Sequence, residues 1–563
     1  MEDPLPASVD LVVVGTGLGE AMLAAAAARS GCSVLHLDDA NYYGGEWASF
    51  NLRTIDEWAE REKRRERGEM PPEPVASLIK EGETLQRIYR RPTIRNFKDE
   101  WTEASAAPTT AAVEATADDA ASEDAALAPP TWREAVDEHW RRFSIDISPK
   151  VLLSRGDLVR TLCDSEVSAY AEFKLVDRLL GVTVKEGAEP IDIHRIPCSR
   201  GDIFDSEALS MLDKRRLMKL LQLCMQWHAA PEKCDVIREA ARTPFFDFLA
   251  TQNIQGSLAN LLTRSLSFLS PAGECPTTEA SIEGLCRFMD SVGVFGASPF
   301  LVPLYGSGEL PQCFARLCAV FGGVYCLGRA VEGIVQREDR VVAVLVAGQR
   351  VECGHLLLTS AFAPEQWMKE DPSSTVSRAV LFSHGSVKEE EEEKESISLL
   401  NLGGLAPAAG ARLLEVGFEA CTAPRGYYVA HVTTSGASSG LVDDVIEKMY
   451  EKSEDKNDDG EKSTKPRLLR RMEWSQTGYS AVGDRVPENV GVLRLPDATA
   501  DYRNVMEEAK SLFARFWPDR DFLPRALKKA QEDGEPFDAR DEQEIASEEV
   551  KEKEENGETT VSE

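Results

Sequence analysis

The stretch GTGLGE, residues 15–20, decides the fold through what stands on either side of it. The apolar run LVVV before it predicts a buried strand. The Ala-rich run after it predicts a helix over residues 18–30, with Gly31 as its stop. Gly15 and Gly17 stand where such a unit turns tightly and lets its backbone approach a pyrophosphate. The pattern predicts the first strand-turn-helix unit of a dinucleotide-binding fold.

A second predicted strand, SVLHLDD, ends at Asp38. An acidic residue about 20 positions after the glycines is where this fold holds a ribose hydroxyl. After five intervening residues come Gly44 and Gly45, and an acid followed at this spacing by a glycine pair resembles a flavoprotein pattern. The sequence therefore predicts a domain similar to those that bind FAD or NAD(P).

Glu20 stands where the third glycine of the fingerprint is expected. A carboxylate in the first turn of a helix is stabilised by the helix dipole by about 0.3–1 kcal/mol. It competes there with a bound phosphate and repels a pyrophosphate. We therefore expect that FAD does not bind and that the chain has no cofactor. The alternative is a tolerated substitution in a working cofactor site.

Composition excludes several classes of function. The chain has 563 residues, 42% of them hydrophobic, which is enough for two or three domains. A formal net charge of -32 argues against nucleic-acid binding. The twelve cysteines show no CxxC spacing, so we expect neither a zinc site nor a disulfide scaffold, and we expect a reducing compartment. No transmembrane helix, signal peptide, Walker loop or GxSxG motif is evident.

The fold class expected is α/β (α+β), with an added β-sheet and an inserted all-helical domain. Alternating β-branched runs between residues 322 and 360 predict an antiparallel meander. Residues 53–131 are charged and then low in complexity, which predicts a flexible, removable insertion. The expected segments are 1–52 (start of the nucleotide-type domain), 53–131 (insertion), 132–292 (helical domain), 293–530 (return to the first domain) and 531–563 (disordered acidic tail).

Three stretches resemble the conserved regions of the Rab GDP-dissociation inhibitor and Rab escort protein superfamily. They are GTGLGE, VLHLDDANYYGG (34–45) and SPFLVPLYGSGELPQCFARLCAVFGGVYCL (298–327). The stretches GGEWASF, SRGDLVRTLCDSEVSAYAEFK and PCSRGDIFDSEALSMLDKRRLMKLL are more similar to the escort branch. A length above 500 residues also suits that branch.

The resemblance implies a non-catalytic protein. Such a protein binds newly made, GDP-bound Rab GTPases and presents their C-terminal cysteines to the Rab geranylgeranyltransferase α/β heterodimer. It then delivers the Rab, with its geranylgeranyl lipid, to membranes, which implies a cytosolic protein that visits membranes transiently. The alternatives are a Rab GDP-dissociation inhibitor, which extracts Rab from membranes, and an FAD-dependent oxidase.

The resemblance also implies site residues. An apolar groove between the domains would hold the Rab tail, and the lipid would lie among the helices of residues 150–292. Glu309 and Arg316 are seven apart, so on a helix they would share one face. Phe288 is a candidate contact to the transferase, although its spacing is also that of a core residue. The Rab-binding platform would comprise Tyr43, Glu309, Arg316, Val324 and Cys326, of which the last two are smaller than the family's usual residues.

Overall fold

The computed structural model describes fifteen ranges of the chain. They are residues 5–66, 78–102, 131–183, 191–198, 200–205, 210–256, 258–259, 262–263, 277–388, 395–403, 405, 410–436, 440–451, 465–483 and 485–525. The low-complexity run before residue 131, expected to be flexible, and the acidic tail over 531–563, expected to be disordered, lie outside these ranges.

Strands are numbered in chain order. They are β1 (Ser8–Val14), β2 (Val34–Leu37), β3 (Ser49–Phe50), β4 (Thr84–Arg87), β5 (Ile94–Trp101), β6 (Ile145–Asp146), β7 (Leu152–Leu153), β8 (Phe173–Leu175), β9 (Arg178–Thr183), β10 (Asp192–Arg195), β11 (Phe300–Pro303), β12 (Val324–Cys326), β13 (Val331–Arg337), β14 (Arg340–Val346), β15 (Gln349–Thr359), β16 (Met368–His384), β17 (Ser398–Asn401), β18 (Arg412–Val416), β19 (Tyr427–Ser435), β20 (Arg467–Ala481) and β21 (Val490–Leu493).

Helices with defined bounds are numbered in the same way. They are α1 (Leu18–Arg29), α2 (Leu52–Glu66), α3 (Trp132–Glu138), α4 (Asp157–Asp164), α5 (Arg200–Asp205), α6 (Met211–Ala229), α7 (Asp235–Ala240), α8 (Phe245–Thr251), α9 (Thr278–Ser291), α10 (Glu309–Val320), α11 (Leu441–Met449) and α12 (Arg503–Phe516). Among the described residues, none of the helices has both the length and the apolar character needed to cross a bilayer.

The first sheet has the order β12-β2-β1-β15-β14-β13-β4, and β21 also pairs with β15. Its centre is the predicted nucleotide-type unit: β1 runs parallel to both β2 and β15. The predicted meander is confirmed for β13, β14 and β15, which are antiparallel. It is wrong for β12, which instead lies parallel to β2 at the edge of the sheet. The α/β fold class is therefore as expected.

The second sheet has the order β10-β9-β17-β18-β19-β16-β20-β5. It contains β9, which pairs with the parallel strand β17. The prediction of an all-helical domain over 132–292 is therefore wrong for its first part, because strands β6–β10 lie between residues 145 and 195. Short buried strands give continuous apolar runs that periodicity alone does not distinguish from a helix. Helices α5–α9 follow, and their apolar faces form a core of their own.

The prediction of a flexible insertion over 53–131 is wrong for residues 53–66 and 78–102. Helix α2 buries Ile55 and Trp58 in the core of the second sheet. Strand β4 joins the first sheet and β5 joins the second. The average composition of the segment did not indicate this packing. The apolar residues of α2 are few, but they recur at the spacing of one helix face.

Helix α1 lies between two other helices. It packs against α10 on one side and α12 on the other, and every residue from Leu18 to Ala28 is buried. Alanines 24–28 are the smallest side chains that a helix accepts without the entropic cost of glycine, so neighbouring elements approach closely. The N-terminus of α1 therefore lies deep in the first domain.

Three buried cations hold the loop that precedes α12. The Lys150 Nζ donates to the Asp497 carboxylate (2.6 Å) and to the carbonyl oxygen of Thr499 (2.6 Å). Arg412 donates to the carbonyls of Ala498 and Thr499. Arg378 donates to the carbonyls of Pro496 and Asp497. The second sheet is thereby tied to the C-terminal helix of the first domain.

Candidate functional site

The glycine loop has the backbone that the sequence predicts. Gly15 has φ +102°, and a Cβ on it would lie 2.5 Å from Thr359 Oγ1. A Cβ on Gly17 would lie 2.5 Å from Glu20 Oε2 and 3.3 Å from Trp47 Cδ1. Side chains of the protein itself therefore occupy the space that these glycines leave open.

The Glu20 carboxyl lies against this loop. Glu20 is only 3% exposed, and its Oε1 accepts a hydrogen bond from Thr359 Oγ1 at 2.6 Å. Burial raises the pKa of this carboxyl to about 7. A bound pyrophosphate would have to displace an acidic side chain that already has a partner.

Both oxygens of the Asp38 carboxylate also accept hydrogen bonds from within the chain. Its Oδ2 accepts hydrogen bonds from the Thr16 N–H (2.9 Å) and the Thr16 Oγ1 (2.7 Å), and its Oδ1 accepts one from the Ala40 N–H (2.9 Å). The Gly44 N–H in turn donates to Thr16 Oγ1 at 3.0 Å. Gly44 and Gly45 have φ +101° and +53°, so a side chain at either position would be strained. The Asp38 carboxylate, which would bind a ribose hydroxyl in a cofactor-binding protein of this fold, here stabilises the glycine loop instead.

These residues do not fit FAD. Glu20 lies against Gly17, where a pyrophosphate would approach the loop, and the carboxylate expected to bind the ribose accepts hydrogen bonds from Thr16 and Ala40. Trp47 stacks on Tyr502, with ring centres 5.7 Å apart, and closes the same side of the loop.

The burial of Glu20 predicts a pH dependence of stability. Folding raises its pKa from 4.5 to about 7, so the group contributes stability below pH 4.5 that is lost as the pH rises through 7. Glu20→Gln keeps an uncharged group at every pH. The variant should match the parent protein near pH 5 and exceed its free energy of unfolding at pH 8 by about 1–3 kcal/mol.

Urea unfolding at both pH values measures this difference. Glu57→Gln, which removes an exposed carboxylate from α2, is the matched control and should show no such trend. Equal differences between Glu20→Gln and the parent at pH 5 and pH 8 would show that the buried carboxyl does not titrate in this range.

The predicted charged pair lies on one face of α10, as its spacing indicates. Glu309 is half-buried and Arg316 is exposed. Both lie beside the thiol of Cys313. Burial, together with Glu309, raises the pKa of this thiol to about 11, and Arg316 opposes the shift. The Arg316 guanidinium carbon lies 4.3 Å from the centre of the Tyr170 ring. The outer face of α10 therefore presents two opposite charges about two turns apart.

The other predicted platform residues lie at the C-terminal end of α10. The Tyr43 ring is half-buried and lies 5.8 Å from the ring of Tyr325, the middle residue of β12. The residues on either side of Tyr325 in β12 are Val324, which is exposed, and Cys326, which is half-buried. The platform, defined as Tyr43, Glu309, Arg316, Val324 and Cys326, thus follows α10, which is about 18 Å long.

Two exposed apolar residues of this surface were missed by sequence reasoning. Val320 is the last residue of α10 and Phe321 follows it; they are 65% and 46% exposed. The signal that could have found them is their position, because they come shortly after Cys318, the last buried residue of α10, and directly before the exposed Gly322. With Val324 they form an apolar edge beside the charged face of α10. Such exposed apolar groups mark surfaces that bind other proteins.

A mostly apolar pocket of about 430 Å³ opens beside α4 and β8. It lies close to the platform, because the turn that follows α4 contributes both Ser168 to the pocket and Tyr170 to Arg316. Among the described residues that line it, Lys174 is the one that carries a charge. The pocket is lined by Val159, Leu162, Cys163, Ser168, Phe173, Lys174, Leu175, Phe295 and Leu301.

Phe288 packs inward. Its ring lies 6.0 Å from that of Phe300, edge to face, and it packs against the core of the second sheet. The exposed aromatic of this region is Phe295, which is 52% exposed and was not singled out from the sequence. The role of Phe288 as a transferase contact stays a prediction.

Comparisons with known proteins identify the family and the fold of the chain. The model of the family described as GDP dissociation inhibitor matches residues 5–71 and 132–448. The chain is 40% identical to Rab proteins geranylgeranyltransferase component A 1 of Caenorhabditis elegans, over 94% of this chain and 97% of that protein. It is 30% identical to the component A 1 of Homo sapiens, over 93% of each. The crystal structure of Rab GDI from Plasmodium falciparum has the same fold, with a TM-score of 0.63 at 18% identity over 92% of this chain and 100% of that one. The chain belongs to the GDP dissociation inhibitor family.

Proposed function

We propose that this chain is a non-catalytic accessory protein of Rab geranylgeranylation. It binds GDP-bound Rab GTPases, presents their C-terminal cysteines to the Rab geranylgeranyltransferase heterodimer and delivers the prenylated Rab to membranes. The observation that carries the proposal is the match to component A 1 of Caenorhabditis elegans, which spans 94% of this chain and 97% of that protein. We propose that the protein acts from the cytosol and meets membranes transiently.

The platform is the proposed contact with the body of the GTPase. Glu309 and Arg316 offer opposite charges, and these orient a protein partner more than they add affinity. The exposed Val320, Phe321 and Val324 add apolar area, which the charged pair lacks. A partner with a mixed polar and apolar surface is thereby favoured.

The apolar pocket beside α4 and β8 is the proposed site for the C-terminal tail of the Rab. Its lining is mostly apolar, and Lys174 is the single charged residue in the part of the lining that the structure describes, so the pocket fits an extended segment with apolar side chains. We propose that the lipid is carried among the helices of residues 150–292 and that Phe288 lies at the transferase contact. We also propose that no FAD binds, which the places of Glu20 and Asp38 support.

Reconstituted prenylation tests the function. The purified chain, added to the transferase heterodimer and several GDP-loaded Rabs, should start geranylgeranyl transfer that the heterodimer does not perform alone. No stimulation with any Rab would contradict the proposal. An absorbance scan after incubation with FAD and gel filtration tests the cofactor proposal, and a stoichiometric flavin band would contradict it.

A Rab GDP dissociation inhibitor is the second candidate, favoured by the fold of the Plasmodium falciparum protein. Both candidates bind prenylated Rab, so this binding does not separate them. The second candidate would extract prenylated Rab from membranes without binding the transferase. Direct binding of the heterodimer to the complex of this chain with GDP-Rab distinguishes the two.

Charge reversal at Arg316 tests the platform. Arg316→Glu should weaken binding of GDP-loaded Rab by about tenfold, because it replaces a favourable charge at the interface with a repulsive one. The melting temperature should change little, since the side chain is exposed. Arg340→Glu, an exposed arginine on the hairpin between β13 and β14, is the matched control. Similar affinity for both variants would contradict the platform assignment.

A further inference from the structure

Tyr170 lies directly under the most exposed charge of the platform. It ends the short turn Val167–Tyr170 that follows α4, and it is 36% exposed. The guanidinium carbon of Arg316 lies 4.3 Å from the centre of its ring. The Cys313 thiol donates a hydrogen bond to the Tyr170 carbonyl oxygen at 3.5 Å, so the turn is fixed to the middle of α10. Ring and guanidinium therefore belong to two elements that are held together.

The ring is the principal restraint on Arg316. Within the part of the chain that the structure describes, no carboxylate lies within ion-pair distance of this guanidinium. A cation over an aromatic face is attracted to the ring and keeps the N–H groups at its edge free for a partner. A long side chain that is already held also loses less rotamer freedom when it binds. The stack therefore leaves Arg316 both oriented and available.

We propose that Tyr170 is a positioning residue for GTPase binding. The inference rests on the proposed function, in which Arg316 contacts the Rab. Tyr170 does not supply the contact itself; its ring holds the guanidinium in the direction from which it reaches carboxylate or carbonyl oxygens on the partner. The specificity of the platform then depends on Tyr170, which lies 146 positions before Arg316 in the chain and orients its guanidinium.

A double-mutant cycle on the full chain tests the proposal. The variants are Tyr170→Leu, Tyr170→Phe, Arg316→Ala and the double variant Tyr170→Leu with Arg316→Ala, and the measurement is the dissociation constant for one GDP-loaded Rab. Tyr170→Leu should weaken binding about fivefold, which corresponds to about 1 kcal/mol. Tyr170→Phe keeps the aromatic face and should stay within about twofold of the parent. In the Arg316→Ala background, Tyr170→Leu should have no further effect.

Each other result overturns the inference. If Tyr170→Leu weakens binding equally with and without Arg316, the ring acts on the GTPase or on the fold and not through the guanidinium. If Arg316→Ala weakens binding and Tyr170→Leu does not, the positioning role fails while the proposed function stands. If Arg316→Ala has no effect, the platform assignment fails as well. Thermal unfolding of each variant excludes a general loss of structure, and Tyr170→Phe provides a second readout if Tyr170→Leu is unstable.

Discussion

Replacing Trp58 by alanine is expected to lower the free energy of unfolding by about 3–5 kcal/mol. Trp58 is 2% exposed on α2. Its ring contacts Phe50, Phe97 and Trp474, with ring centres 6.1, 6.1 and 5.5 Å away. These partners come from β3, β5 and β20, so one side chain fills a space that three other elements enclose. Truncation leaves a cavity that such a site does not close by relaxing.

Chemical denaturation of the full chain measures this loss, and Glu57→Ala is the control. Glu57 precedes Trp58 on the same helix and is exposed, so its replacement should change stability by less than about 0.5 kcal/mol. A small effect of Trp58→Ala, comparable to that of the control, would mean that α2 is dispensable and that the segment is an insertion after all.

Replacing Lys150 by methionine is expected to cost about 3 kcal/mol. Lys150 is buried, and burial lowers its pKa to about 8. Its Nζ also donates to Thr499 Oγ1 at 2.9 Å, in addition to the Asp497 carboxylate and the Thr499 carbonyl. Methionine fills the volume of the aliphatic stem but leaves these acceptors without their donor. Buried acceptors without a partner carry their full desolvation cost.

Thermal and urea unfolding at pH 7 measure the effect of Lys150→Met. Lys510→Met is the matched control, because Lys510 lies on α12, is partly exposed and pairs with Asp157 only at 3.6 Å. It should change stability by less than about 1 kcal/mol. If both variants lose the same small amount, the cations around the loop 496–499 do not tie the second sheet to α12.

Local signals predicted the nucleotide-type unit correctly. The turn at Gly15, the start of α1 at Leu18 and the stop at Gly31, which has φ +85°, depend on residues next to one another in the chain. The shared face of Glu309 and Arg316 follows from helical spacing alone. Such features are fixed by the backbone geometry of one element, and a sequence displays them directly.

Features that depend on distant partners were not predictable in the same way. The packing of α2 depends on Trp474, and the place of β12 depends on pairing with β2. The stack of Tyr170 on Arg316 joins a turn after α4 to α10, and no spacing pattern connects them. Charge density was a poor guide over residues 53–66, because a charged helix with one apolar face still contributes to a core.

The enclosure of α1 has a consequence for how this protein tolerates change. An ordinary surface helix accepts variation at most positions and rejects it on one stripe, so a mutational scan shows a period of about 3.6 residues. The eleven buried positions from Leu18 to Ala28 leave no outward stripe. A scan of larger side chains along α1 should therefore show an unbroken block of intolerance, more typical of a central strand than of a helix.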